Sequence, residues 1–171
     1  MKKGNNTGLS VRYITRSAAI AVIYAAIAYV SAPLQFFFFQ FRLSEAMCIL
    51  PIFMPEAIPG LFIGCILANY FSGAVFFDVL FGSIATLIGA IGAYALRRLP
   101  HKLMWLTTLP TVLANASIVP FVIMLAYGSP ESYWFLFATV AVGEIATASL
   151  LGSLFYYRFK DIISKISQQT K

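Results

Sequence analysis

Charged side chains are scarce in this chain: 11% of its 171 residues are Asp, Glu, Lys or Arg, against roughly a quarter in an average soluble domain. With 60% of residues hydrophobic, that shortage excludes an ordinary soluble domain and leaves an integral membrane protein. Histidine is rarer still. The single one, His101, stands in the basic stretch RRLPHK, so an HExxH metalloprotease and a histidine-based catalytic pair within the bilayer are excluded. Cys48 and Cys65 lie in apolar runs with no Cys or His at metal-ligand spacing. They read as small packing residues, with no disulfide and no metal site implied. No GxxxxGK[ST] stretch occurs, so the chain has no P-loop to cradle ATP phosphates. A carboxylate and an amide alone would have to carry any chemistry inside the membrane, and the chain is expected not to be an enzyme.

What is present are long apolar runs. A bilayer core of about 30 Å needs roughly 20 apolar residues in a helix. Four stretches meet this directly: 14–32, 75–96, 103–127 and 133–157. The basic start MKKGNNTGLSVRYITR leads into a run long enough to span and without a convincing cleavage site, so a first transmembrane helix is expected rather than a signal peptide. Between Leu43 and Ser72, the prolines of PIFMPEAIPG break the run. Each removes a backbone donor and crowds the preceding turn, which predicts two short helices, 43–54 and 57–72, joined tightly.

Charge sets the count. With six spans and a cytoplasmic amino terminus, all Lys and Arg residues except Arg42 fall inside, whereas five spans would put most of them outside. The positive-inside rule favours six, with both termini cytoplasmic, in a multi-pass protein of the cell membrane. The net charge of +6 is therefore a topology signal, not a nucleic-acid surface, because the basic residues sit in short blocks between apolar runs. Trp134, Tyr127 and Tyr133 at one end, and Trp105, Tyr156 and Tyr157 at the other, fit interfacial aromatic belts. The fold class is an all-α membrane bundle of six helices in one domain.

Two surfaces are written in these helices. Ser17, Ala21, Ala25, Ala28 and Ala32 form a small-residue stripe along the first span; in lipid such stripes let helices approach closely. Either internal packing or docking of another membrane subunit would use it, and Ala85, Gly89 and Ala93 repeat the pattern in the fourth span. The other surface is polar. Glu144, inside FLFATVAVGEIATASLLG, costs about 2.5–3.5 kcal/mol near a helix centre and demands a partner or a water-filled cavity. Asn115 is the natural candidate, since both residues lie 12 positions in from the outer ends of their helices. Pro110 and Pro120 flank Asn115, each freeing a carbonyl. A shallower tier is expected above them, with Glu45 beginning the second span, Asn69 closing the third and Asp78 opening the fourth. On six spans these lie near the outer surface with Arg42, as the rim of an outward-facing pocket. The neighbouring run Phe36 to Phe39 reads as an interfacial belt or an apolar wall over that pocket.

The segments FRLSEAMCILPIFMPEAIPGLFIGCILAN, DVLFGSIATLIGA, LPTVLANASIV and VGEIA resemble the QueT family over roughly residues 12 to 158. That family comprises substrate-binding S components of energy-coupling factor (ECF) transporters assigned to queuosine precursors. The resemblance implies a six-helix S-component bundle that captures a micronutrient from outside. It further implies docking on a transmembrane coupling protein with two ATPase subunits, so that ATP belongs to the partners and no cofactor to this chain. An AxxxA motif on the first helix serves docking in the family, and Ala21 and Ala25 match it. The implied ligand is a deazaguanine base in cyano or aminomethyl form. Glu144 and Asn115 would read its donor edge, with Glu45 or Asp78 left for an ammonium. The substrate-binding set expected here is Arg42, Glu45, Asn69, Asp78, Asn115 and Glu144. A stand-alone secondary transporter or channel for a small purine-like or vitamin-like solute is the alternative, and a membrane scaffold without a ligand is a third reading that the buried Glu144 disfavours.

Overall fold

The computed structural model describes residues 11–33 and 41–168; the Phe36 to Phe39 run lies outside the described residues. Every regular element among those described is helical. The first helix, α1, is Val11–Ser31. Next comes α2, Leu43–Ile52, wound in the tighter 3-10 form, and then α3, Ala57–Phe71. The fourth, α4, is Phe76–Ala95. The fifth, α5, runs over His101–Tyr127, its first turns 3-10 and the rest α-helical. The sixth, α6, starts at Tyr133, passes through a π-form segment Ile145–Leu151, and continues to Gln168.

Four of these, α1, α4, α5 and α6, are long and apolar enough to cross a membrane. The proline-rich segment forms two short helices, as its breakers predict. Phe53 and Met54 donate backbone N–H groups to the Leu50 carbonyl at 3.0 and 3.2 Å, closing the turn before Pro55. At its rise, 10 residues of 3-10 helix cover about 20 Å, and the 15 residues of α3 about 22 Å. Neither reaches across a bilayer by length alone.

Tight backbone approaches hold the bundle together. A Cβ placed on Gly60 would stand 2.8 Å from the Ser17 carbonyl oxygen, and one on Gly64 3.0 Å from that of Ala21. The small-residue stripe of α1 is therefore used inside the protein, against α3. Likewise a Cβ on Gly89 would stand 2.7 Å from Thr111 Cα, so the α4 stripe is the seat of α5. The central element is α2, which touches α1, α3, α4 and both the π-form and later parts of α6. Its residues Ser44, Glu45, Met47, Cys48, Ile49, Leu50 and Pro51 are all buried.

At one end of the bundle, Arg16 pairs with Glu56 at 3.0 Å, and Ser17 donates to the Glu56 carbonyl at 2.8 Å. His101 meets the Tyr156 hydroxyl there at 2.5 Å, and Tyr156 stacks on Phe53. Tyr156 is thus a core residue, 2% exposed, rather than part of an interfacial belt. Its ring is held by the proline-rich turn. Trp105, Trp134, Tyr127 and Tyr157 are exposed, as belt residues are.

Candidate functional site

The site begins with the winding of α2. In a 3-10 helix, residues three apart eclipse one another, so Arg42, Glu45 and Cys48 share one face. Cys48 donates to Glu45 Oε2 at 2.8 Å. From α1, Tyr24 donates its hydroxyl hydrogen to Glu45 Oε1 at 2.5 Å. Thr86 of α4 stands 3.4 Å from the same oxygen, 3.4 Å from Cys65 Sγ and 3.1 Å from the Gly82 carbonyl; its single O–H serves one of them at a time. From α3, Cys65 and Asn69 lie one turn apart and face Arg42. The guanidinium donates through Nη2 to Asn69 Oδ1 at 2.9 Å and approaches Cys65 Sγ at 3.7 Å.

A continuous polar chain results, from Arg42 and Asn69 through Cys65 and Thr86 to Glu45 and Tyr24. It joins the first four helices. A buried carboxylate is tolerable only with donors arranged around it, and Glu45, fully buried, has them.

Glu144 and Asn115 differ. Asn115 of α5 lies beside Glu144 of α6, and Glu144 has Glu45 and Arg42 as electrostatic neighbours. Asn115 is 0% exposed and Glu144 1%. Asn115 stands as a hydrogen-bonding neighbour of the Glu144 carboxyl, yet neither amide atom of Asn115 nor Oε2 of Glu144 reaches a partner within 3.5 Å, and the same holds for the buried hydroxyls of Ser44 and Thr111. Orphaned buried polar atoms are rare in native structures, and each needs an explanation such as water or a ligand. Two acceptors and an amide donor whose capacity is not used up by one another are complementary to a planar molecule bearing adjacent N–H groups and a carbonyl.

The shallower tier surrounds a cavity of about 840 Å³, lined among others by Arg42, Asn69, Asp78, Tyr29, Phe71 and Tyr127. Asp78 Oδ2 accepts from the Tyr127 hydroxyl at 3.1 Å, and Asn69 Nδ2 donates to the Asp78 carbonyl at 3.3 Å. Gly82 is the hub of this group: a Cβ there would stand 3.2 Å from Asn69 Nδ2, 3.5 Å from Asp78 Oδ1 and 3.8 Å from Arg42 Nη1.

The six polar residues expected from the sequence therefore fall into two groups. Arg42, Asn69 and Asp78 line the cavity. Glu45 is not among the residues lining it; it is fully buried, bonded to Tyr24 and Cys48 and an electrostatic neighbour of Glu144, while Arg42 bonds Asn69. Ala21 is 3% exposed and packed on α3, while Ala25 is half-buried. Sequence reasoning missed Tyr24, Cys65 and Thr86. Both cysteines are buried and unpaired, but each also takes part in the polar chain. The four-residue spacing of Cys65 and Asn69 and the eight-residue spacing of Asp78 and Thr86 were the available signals. Among the described residues, no group of three or more His, Cys, Asp or Glu is placed to hold a metal.

A family model described as QueT transporter matches residues 14–161. No curated protein and no solved structure matches the chain.

Proposed function

The chain belongs to the QueT transporter family, and from that premise we propose that it is the substrate-binding subunit of an ECF-type importer of the cell membrane. It captures a queuosine-precursor deazaguanine, in the cyano or aminomethyl form, at Asn115 and Glu144. The observation that carries this reading is the open hydrogen-bonding capacity of those two buried residues. A deazaguanine edge, with ring and exocyclic N–H donors beside a carbonyl, satisfies a carboxylate and an amide together. Glu45 is the second buried carboxylate beside them, and Arg42, Asn69 and Asp78 form the approach.

Orientation follows from charge. The end bearing Arg16, Arg97, Arg98 and Lys102 faces the cytoplasm under the positive-inside rule, which puts both termini inside and the cavity outside. ATP is used by two ATPase subunits, and a transmembrane coupling protein receives this chain. Ala25 and the exposed Ala18, Val22 and Ala26 of α1 provide a small-residue face for that contact.

Calorimetric titration of the purified, detergent-solubilised protein with both deazaguanines, against guanine and riboflavin, tests the capture role. Tight binding of a deazaguanine alone is the expected result. Folded protein that binds neither would refute the substrate assignment. Uptake by the chain alone, driven by an ion gradient in a host lacking coupling subunits, would instead establish a secondary transporter.

A further inference from the structure

The cavity reaches Arg42 and Asn69, and the buried polar cluster begins directly behind these two side chains at Cys65. Arg42 and Asn69 line the cavity. Cys65, Thr86, Glu45, Asn115 and Glu144 do not, and each is at most 1% exposed. Yet Arg42 Nη2 lies 3.7 Å from Cys65 Sγ, and Asn69 Nδ2 lies 3.6 Å from it. The same two side chains thus face the cavity on one side and the first buried group on the other.

That partition is held by a contact well suited to breaking. The Arg42 guanidinium bonds to a neutral amide, Asn69 Oδ1, although carboxylates lie close by. A bond between two ions is the stronger kind. Asp78 supplies the alternative: its Oδ1 and Arg42 Nη1 both lie within 4 Å of the position a Gly82 Cβ would occupy, and only its other oxygen, Oδ2, accepts from Tyr127. The glycine leaves room for the guanidinium to cross. Arg42 also stands just ahead of α2, its carbonyl accepting from the Glu45 N–H at 2.9 Å.

We propose that Arg42 and Asn69 form a door between the cavity and the buried cluster, closed when the guanidinium bonds Asn69 and open when it transfers to Asp78 across the space left by Gly82. Solute reaching Asn115 and Glu144 passes this door, so Arg42 sets access rather than affinity. The inference rests on the capture site proposed above only for what lies behind the door. Its test uses no ligand, so the two ideas fail separately.

Cys65 is the reporter, because it is the first group behind Arg42, and Cys48, bonded to Glu45, is an internal reference further in. The full chain in detergent is exposed to N-ethylmaleimide, and alkylation at each cysteine is followed by peptide mass spectrometry. Arg42→Ala is expected to speed Cys65 alkylation at least tenfold and leave Cys48 unchanged. Asp78→Asn, which weakens the open position, is expected to slow Cys65 severalfold below the unmodified protein. This opposite sign is what a merely structural role would not produce, since loosening the fold speeds both cysteines in both variants. Should Arg42→Ala fail to fold, Asn69→Ala removes the other leaf of the door and is expected to speed Cys65 likewise. No acceleration in the folded door variant, Cys48 rising in step with Cys65, or a faster rate in Asp78→Asn would each overturn the proposal.

Discussion

Tyr24 of α1 and Glu45 of α2, both fully buried, meet through a hydroxyl-to-carboxylate hydrogen bond of 2.5 Å. The bond ties the central short helix to the first membrane helix and fixes where a buried carboxylate points. Glu45 is thereby held inside the bundle, away from the residues that line the cavity.

Tyr24→Phe keeps the ring and removes the donor. A hydrogen bond to a charged group contributes roughly 1.5–3 kcal/mol, so the thermal midpoint in detergent is expected to fall by several degrees. An unchanged midpoint would show that Cys48 and Thr86 suffice to hold Glu45.

Replacing Glu144 with Gln preserves shape and exchanges an acceptor for a donor. Affinity for the proposed deazaguanine ligand is expected to drop at least tenfold, with the unfolding midpoint little changed, since the replacement keeps the volume of the side chain. Equal affinity measured by titration would take Glu144 out of the site.

The proposed docking on a partner would involve Ala25 and not the buried Ala21. Tryptophan at Ala21 collides with α3 and is expected to cost folding yield. At the half-buried position, Ala25→Trp is expected to leave ligand binding intact while abolishing uptake in cells that carry the coupling subunits. Normal uptake by Ala25→Trp would move the docking surface off this face of α1.

Gly89→Ala tests the seat of α5. The added methyl would stand 2.4 Å from Thr111 Oγ1 and 2.7 Å from its Cα, so backbone must move, at about 1–3 kcal/mol for such overpacking. A fall of the midpoint is expected, whereas Gly73→Ala, with nothing within 4 Å, is a comparison for the glycine replacement itself. Gly73 has φ +73°, so the comparison carries only a local backbone cost in place of a collision.

The helical class and the break within residues 43–72 were legible in the sequence, because both follow from local properties. Apolar run length sets what can lie in a bilayer, and the proline cluster marks the break, with Pro55 between the two short helices and Pro51 and Pro59 in the turns on either side of it. The pairing of Asn115 with Glu144 was legible too, since equal depth can be counted along two helices and a lone intramembrane carboxylate must find company. The use of the Ser17–Ala21 stripe was not. Small residues announce close approach without saying to what, and the answer lies in Gly60 and Gly64 of α3.

Sequence by itself thus determined the membrane class, the proline-marked hairpin and the two deep polar residues, all matters of hydropathy, backbone chemistry and counting. Tertiary structure alone decided that Glu45 is buried, that Arg42 bonds Asn69, and that Tyr24, Cys65 and Thr86 join them in one chain. The reason is physical: α2 is enclosed by neighbours on several sides, and its 3-10 winding, which places residues three apart above one another, aims Arg42, Glu45 and Cys48 along one face.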